Sequence, residues 1–96
     1  GYDYNVLLSG LNTIRKYKPM LFFEIMFIDK YSLRNFTDII NKLSIVGYRY
    51  WTILDNYGKI LQKDASKIQL IKYLTENDKT CKIDVFTTIK KYNFRK

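Results

Sequence analysis

The chain has 96 residues, a formal net charge of +8, no histidine and a single cysteine. These counts exclude a Ser-His-Asp triad, a Cys-His pair, a histidine metal site and a cysteine-rich zinc site within this chain. Hydrophobic residues make up 47% of it, which is typical of one small folded domain rather than of a disordered segment. The lone Cys81 cannot form an internal disulfide, which favours a cytoplasmic location.

The positive charge has two interpretations. It indicates either a surface for nucleic acid or another polyanion, or the lysine-rich composition that an AT-rich genome produces, because isoleucine, asparagine and tyrosine are abundant too. The lysines are scattered, and only Lys90 and Lys91 are adjacent, which favours the compositional interpretation. No apolar run approaches the ~20 residues that span a bilayer, and no signal-peptide pattern is visible, so we expect no membrane span.

The first predicted element is a helix from Asp3 to Tyr17. Asp3 is a suitable N-cap, and Lys18-Pro19 ends the helix because the residue before proline disfavours helical backbone. The apolar face of this helix is expected to contain residues at helical spacing, namely Leu7, Gly10, Leu11, Ile14 and Tyr17.

The next segment, from Pro19 to Ile28, predicts a strand. Its nearly continuous apolar character is typical of a strand in a sheet that is covered on both faces. Glu24 is an isolated acid within this run. A carboxylate there loses its hydration, at a cost of several kcal/mol, unless a partner compensates or the run meets an open cleft. Glu24 therefore marks either a structural pairing or a functional site.

A second helix is predicted from Leu33 to Val46, with Ser32 as its N-cap and Gly47 as its C-terminal stop. The alternating, aromatic-rich segment from Tyr48 to Asp55 predicts a strand. The turn signal at residues 56–58 leads into residues 59–62, which can pair back as a short hairpin.

The last elements are a helix over residues 64–75, a strand over residues 82–89 and a basic tail. Helices and strands alternate along the chain, which indicates the α/β class. The first strand would lack a neighbour on one side, and an apolar strand with a bare edge is a liability. We therefore expect the chain to be a piece of a larger unit.

Four short motifs, taken in order, resemble the FkbM-type methyltransferase domain. They are Gly1-Tyr2-Asp3, then Val6-Leu7 with Gly10, then Lys18-Pro19-Met20-Leu21-Phe22-Phe23-Glu24-Ile25, and finally Gly47-Tyr48-Arg49. In that family a D-x-E-G-x-E stretch follows the fourth strand, a helix carries V-L-x-G, and P-x-L-x-x-E ends the fifth strand. Gly1 and Asp3 match the end of the first stretch, and Glu24 matches the fifth-strand glutamate. Residues 83–89 fit the seventh strand, which runs antiparallel between the fifth and the sixth.

The resemblance covers nearly the whole chain and is weakest between Gln62 and Cys81. It implies a Rossmann-like enzyme that transfers a methyl group from S-adenosylmethionine to a hydroxyl of a sugar or small metabolite. The glycine-rich turn and the ribose-binding acid of the family are missing, because the four glycines of this chain are far apart. Residues 1–96 would then be a single partial domain, the C-terminal half of the fold, with no cofactor or metal bound by this chain alone.

The resemblance gives Glu24 a catalytic role, in which it orients the acceptor hydroxyl or takes its proton, and it makes Asp3 and Tyr2 substrate-binding residues. Each residue has a simpler interpretation. Glu24 can be a structural glutamate bonded to an amide or a lysine, Asp3 a helix cap, and Tyr2 an exposed aromatic near a chain end. Trp51 can stack on a base or sugar, but core packing explains it better.

The predicted fold is a three-stranded mixed sheet with flanking helices, in which the last strand lies between the other two. Two rivals to the methyltransferase fragment remain. One is a small basic module for nucleic acid or another polyanion, which leaves Glu24 unexplained and makes nucleic acid the less favoured partner. The other is an interaction fragment that pairs through the open edge of its first strand, with a second copy or with the missing half.

Overall fold

The computed structural model describes residues 2–27, 30–76 and 81–91; within these ranges the side chains of residues 2, 3, 27, 30–32 and 81 are not described. The elements in chain order are α1 (Tyr2–Ser9), α2 (Leu11–Tyr17), β1 (Leu21–Phe27), α3 (Lys30–Val46), β2 (Tyr50–Leu54), β3 (Ile60–Ala65), α4 (Lys67–Glu76) and β4 (Cys81–Thr88). Among these helices, none has the length and apolar character needed to cross a membrane.

The first predicted helix is in fact two helices, α1 and α2, which meet at Gly10. Gly10 has φ −88° and ψ 5°, and glycine is less favourable than alanine in a helix by about 1 kcal/mol, so the chain bends there. Two hydrogen bonds span the bend, from the Gly10 amide to the Val6 carbonyl (3.0 Å) and from the Ile14 amide to the Gly10 carbonyl (2.9 Å). The predicted end before Pro19 is confirmed, but Tyr17, expected on the buried face, is exposed.

The predicted stop of α3 at Gly47 is confirmed. Gly47 has φ 128°, a conformation that glycine adopts easily and other residues rarely do. Its amide donates to the Ser44 carbonyl, and the Tyr48 amide donates to the Leu43 carbonyl, both at 3.1 Å. This pair of bonds is the Schellman motif, and it directs the chain into β2. Ser32, predicted as the N-cap, falls inside α3, so that prediction is wrong.

The four strands form one open sheet in the order β1-β4-β2-β3. The predicted position of the last strand, between β1 and β2, is confirmed. The prediction of a three-stranded mixed sheet is wrong in both respects. The hairpin adds a fourth strand, β3, and all three neighbouring pairs are antiparallel. Strands β1 and β2 run in the same direction, but they are not neighbours because β4 lies between them.

The predicted hairpin between β2 and β3 is confirmed, and its loop is held by Asp55. One carboxylate oxygen of Asp55 accepts bonds from the amides of Tyr57 and Lys59, each at 2.9 Å, while Gly58 has φ 83°. Strand β3 extends beyond the predicted residue 62. It includes Asp64, whose φ of 52° accompanies irregular pairing with β2, so Asp64 does not begin the next helix as predicted.

Helix α4 begins after a capping box formed by Ser66 and Gln69. The Gln69 amide donates to Ser66 Oγ (3.1 Å), and the Ser66 amide donates to Gln69 Oε1 (2.8 Å). The helix buries Leu70 and Leu74, whereas Ile68 is exposed. The predicted helix is therefore confirmed, but it begins three residues later than predicted.

All four helices contribute to or pack against one buried core on a single face of the sheet. The core residues are Leu7, Leu11, Ile14, Phe23, Ile25, Phe36, Ile39, Ile40, Leu43, Tyr48, Trp51, Ile53, Ala65, Leu70, Leu74, Ile83 and Val85. Strand β1 alternates: Phe23 and Ile25 are buried, whereas Phe22 and Met26 are 62% and 50% exposed. The expectation that β1 is covered on both faces is therefore wrong for the described residues.

Candidate functional site

The sheet has a second face, directed away from the helices, which we call the open face. Side chains alternate along a strand, so the residues between the buried ones belong to it. The register aligns these residues across β1, β4 and β2. They are Phe22, Glu24 and Met26 of β1, Lys82, Asp84, Phe86 and Thr88 of β4, and Tyr50, Thr52 and Leu54 of β2. Of these, Thr52 and Thr88 are themselves buried.

Glu24 lies midway along β1, which forms one edge of the sheet, whereas the family resemblance implies a glutamate at the end of its strand. Strand β1 continues beyond it to Phe27. Its side chain is half-buried, and Asp84, also half-buried, is its direct partner in the antiparallel register. On the other side of Asp84 lies Leu54 of β2. The sequence thus placed Glu24 on the correct strand, but the sheet brings it to a face rather than to an end.

Glu24 and Asp84, which we call the acid pair, create the chemical character of the open face. Residues directly opposite on antiparallel strands have Cβ atoms about 4.5–5.5 Å apart, so two carboxylates there repel each other. Such a pair can accept hydrogen bonds from a hydroxyl, take its proton or attract a cation. Sequence reasoning missed Asp84. Its signal was the same as that of Glu24, an acid between apolar residues of a strand, here Ile83 and Val85.

Aromatic side chains lie beside the acid pair. Phe22 of β1 is opposite Phe86 of β4, which is in turn opposite Thr52 of β2. Phe22 is 62% exposed and Phe86 is half-buried, as is Tyr50 on β2. The open face therefore combines a pair of acids with a neighbouring apolar, aromatic row. Such a surface can bind a ligand that has both an apolar face and hydroxyl groups.

Strand β1 is an edge strand, and an apolar groove follows its free side. The groove has a volume of about 440 Å³ and lies between β1 and the first two helices. It is lined by Val6, Leu7, Gly10, Thr13, Ile14, Leu21, Phe22 and Phe23. We call it the edge groove. The bare edge that the sequence predicted is therefore present, accompanied by unsealed apolar surface.

The other predicted site residues contribute little to this geometry. Tyr2 and Asp3 fall in the first turn of α1, so the prediction of Asp3 as the N-cap is wrong. Their side chains lie outside the described part of the structure. Trp51 is fully buried, so the prediction of core packing is confirmed. Among the described residues, its indole Nε1 has no hydrogen-bond partner.

Tyr48 belongs to the core and not to a site. Its side chain is buried, and its hydroxyl donates a hydrogen bond to the Pro19 carbonyl, which links the start of β2 to the segment before β1. Burial raises the pKa of Tyr48 above the ordinary value of 10.0, because the charged phenolate would lose its hydration.

Within residues 2–27, 30–76 and 81–91, no group of three or more acidic or cysteine side chains is arranged to hold a metal ion. A scan against protein-family profiles finds no family that matches this chain. Searches of curated proteins and of solved structures find no match either. The open face, the acid pair and the edge groove are the surfaces of the described structure that bear on function.

Proposed function

We propose that this chain is the acceptor-side part of an FkbM-type, S-adenosylmethionine-dependent methyltransferase domain, with the cofactor-binding part outside these 96 residues. The observation that supports the proposal most is the strand order, because the resemblance implies a last strand that runs antiparallel between two strands of common direction. The order β1-β4-β2 has this arrangement. The substrate class is a hydroxyl of a sugar or small metabolite.

The residues of this chain do not fit the cofactor. Binding it requires a glycine-rich turn between a strand and a helix, where backbone can approach the ligand. The described glycines serve other purposes: Gly10 lies between α1 and α2, Gly47 ends α3, and Gly58 lies in the hairpin loop. We therefore assign cofactor binding to other residues of the full domain and expect none from this chain alone.

Two surfaces of this chain support the proposal that the rest of the domain packs against it. The edge groove and the free edge of β1 can accept a further strand and its connection, and the open face can accept a second layer of helices. In a doubly covered sheet, Phe22 and Met26 would be buried, which accounts for the nearly continuous apolar character of β1. By this proposal, the 96-residue chain is one layer and part of the sheet of a larger unit.

The chemistry assigned to this chain is proton handling at the acceptor. Glu24 accepts a hydrogen bond from the acceptor hydroxyl and takes its proton as the oxygen becomes nucleophilic, a contribution worth about 10²–10⁴ in rate for a well-placed base. Asp84 opposite it keeps a second negative charge nearby. The aromatic row formed by Phe22 and Phe86 would support the apolar face of a sugar ring.

The first test is the sequence encoded upstream of Gly1. We expect Asp-x-Glu directly before Gly1, and a strand with a glycine-rich turn further back. A chain extended by that segment should bind S-adenosylmethionine stoichiometrically in isothermal calorimetry, whereas the 96-residue chain should not. An upstream sequence without these features, or tight binding by the 96-residue chain, would contradict the proposal.

The second test separates cofactor binding from catalysis in the extended chain. Glu24→Gln should keep cofactor binding but reduce transfer of a radiolabelled methyl group to a hydroxyl acceptor by about 10²-fold or more. Glu76→Gln is the matched control, because Glu76 is exposed on α4, and it should change neither quantity. Full activity in Glu24→Gln would remove Glu24 from the mechanism.

The solution mass of the chain tests whether the free edge of β1 pairs with a second copy. If β1 pairs with a second copy rather than with a missing half, the 96-residue chain should show twice its monomer mass in analytical ultracentrifugation at high concentration. In that case, the extended chain should be a monomer, because its own strand covers the edge. A dimer that persists in the extended chain would count against pairing through β1.

One observation favours a second candidate, a module that binds single-stranded nucleic acid. An open sheet with exposed aromatics on one face and a charge of +8 is a suitable stacking platform. The acid pair argues against it, because two carboxylates beside the aromatic row repel phosphates. Titration of a labelled oligonucleotide at increasing salt tests it: a steep loss of affinity with salt supports this candidate, and no binding at low salt removes it.

A further inference from the structure

A second cavity lies at the end of the sheet where β1 begins and β4 ends. It has a volume of about 400 Å³ and is lined by Lys18, Met20, Thr88, Ile89, Lys90 and Lys91. We call it the lysine cleft. Met20 precedes Glu24 by four residues, so at ~3.3 Å per residue of strand the cleft lies roughly 13 Å from the acid pair. The lysine cleft shares Thr88 with the open face but is distinct from the acid pair.

The charged side chains that line the cleft are all positive. Three of its six lining residues are lysines and none is acidic. Within the described part of the chain, no ion pair joins these lysines to a carboxylate; the ion pair that the structure does record there is between Lys42 and Asp38, on α3. Uncompensated lysines around one cavity raise the local concentration of anions.

The remaining surface of the cleft is apolar. Met20 is 61% exposed there and Ile89 is partly buried, and the lysine stems add further hydrocarbon. Thr88 contributes a hydroxyl, which donates to the Lys90 carbonyl and so is already occupied as a donor. The cleft thus offers apolar contact together with positive charge.

The two walls of the cleft are fixed by contacts within the described chain. One wall, at residues 18–20, is held by the hydrogen bond from the buried Tyr48 hydroxyl to the Pro19 carbonyl. The other, at residues 88–91, is held by the Arg49 amide, which donates to the Thr88 carbonyl at 3.1 Å. A preformed cavity loses less free energy on binding than one that must order first.

The backbone at Lys18 is unusual. Lys18 caps α2 in the left-handed conformation, with φ 49° and ψ 51°. Helices commonly end in this conformation with glycine, and a residue with a side chain adopts it at a cost of about 1–2 kcal/mol. The chain keeps a long basic side chain at a position where glycine would be more stable, and that side chain lines the cleft.

We propose that the lysine cleft binds a small amphiphilic anion, with a phosphate, sulfate or carboxylate headgroup held by Lys18, Lys90 and Lys91 and a short apolar chain on Met20 and Ile89. This site is independent of the proposed methyltransferase function. The headgroup chemistry is shared by soluble metabolites and by lipids.

The probe is octyl phosphate, added below its micellar concentration to the full 96-residue chain and followed by chemical shifts of the Met20 and Ile89 methyl groups. Octyl phosphate should bind at least tenfold more tightly than inorganic phosphate, which lacks the apolar chain, and than octyl glucoside, which lacks the charge. Equal affinity for octyl phosphate and octyl glucoside, or no binding of octyl phosphate, overturns the proposal. Sedimentation with phosphatidylglycerol vesicles separates the sources: co-sedimentation along with octyl phosphate binding supports a lipid, and octyl phosphate binding alone supports a soluble ligand.

The variants separate binding from folding. Lys18→Gly removes one charge and fits the left-handed backbone, so it should raise the melting temperature or leave it unchanged while weakening octyl phosphate binding about fivefold or more. Lys90→Gln with Lys91→Gln should weaken it further. The control is Lys59→Gln with Lys72→Gln, two exposed lysines outside the cleft. If the control weakens binding as much as the cleft variants, the affinity comes from overall charge and the proposal fails.

Discussion

The two faces of the sheet use the same strands in different ways. On the covered face, most of the strand residues in the core are apolar, and Thr87, a buried polar exception, donates from its hydroxyl to the Tyr50 carbonyl at 2.9 Å. On the open face, apolar Phe22 lies in line with the acids Glu24 and Asp84 and is mostly exposed. The covered face is a sealed core, whereas the open face mixes the residues of a core with those of a site.

This difference explains why the sequence of β1 predicts more burial than the structure shows. Its apolar run predicts burial on both faces, but burial depends on what packs against each face and not on the strand itself. The described helices seal one face only. The mismatch between the composition of β1 and its exposure is the strongest physical reason to look for a second layer.

The largest effect is expected when one side chain on each face of the sheet is truncated to alanine. Ile25→Ala on the covered face should lower the free energy of unfolding by about 2–5 kcal/mol, because it leaves a cavity among fully buried neighbours. Phe22→Ala on the open face should change it by about 0.5 kcal/mol or less. Urea denaturation of the 96-residue chain measures both.

The contradicting outcome is equally informative. If Phe22→Ala costs as much as Ile25→Ala, the open face is covered in solution. The solution mass then decides what covers it: a doubled mass identifies a second copy, and a monomer mass means that the chain itself covers the face.

A smaller effect is expected at Tyr48, which anchors the covered face to the segment before β1. Tyr48→Phe keeps the ring but removes the hydrogen bond to the Pro19 carbonyl, and should lower the free energy of unfolding by about 1 kcal/mol near neutral pH. Because the pKa of Tyr48 is raised in the folded state, its contribution is complete below pH 10 and is lost as the pH rises through the folded pKa.

The measurement is thermal unfolding of both proteins from pH 8 to pH 11.5. Stability of the unaltered chain should fall more steeply above pH 10 than that of Tyr48→Phe, because the variant cannot ionise there. Parallel pH profiles would mean that Tyr48 is as hydrated in the folded chain as in the unfolded one.

Local signals in the sequence predicted the parts of the fold that depend on local physics. Gly47 stops α3 because the backbone there needs a positive φ, and Asp55 with Gly58 closes the hairpin loop. The place of the last strand was also predicted, but this came from the family resemblance and not from periodicity. Its residues alone do not say which strands it joins.

The missed features depend on contacts between distant parts of the chain. Helical spacing predicts Gly10 on the face of one continuous helix, although its weak helix propensity allows the bend that tertiary packing uses. The sequence does not reveal the importance of Asp84, because that importance comes from the register with Glu24, which lies sixty residues earlier in the chain. A search for every isolated acid in an apolar strand would have found both members of the pair.

The smallest change in the free energy of unfolding is expected when one charge is removed from the acid pair on the open face. Asp84→Asn relieves the repulsion with Glu24 and should raise the free energy of unfolding by about 0.2–1 kcal/mol at low salt. Asp38→Asn is the matched control with the opposite sign, because Asp38 forms an ion pair with Lys42 at 2.6 Å on α3, and its loss should cost about 0.2–0.5 kcal/mol. Both differences should shrink in 1 M salt, where the Debye length falls to about 3 Å. If Asp84→Asn destabilises the chain instead, the Asp84 carboxylate makes a stabilising contact that outweighs its repulsion with Glu24.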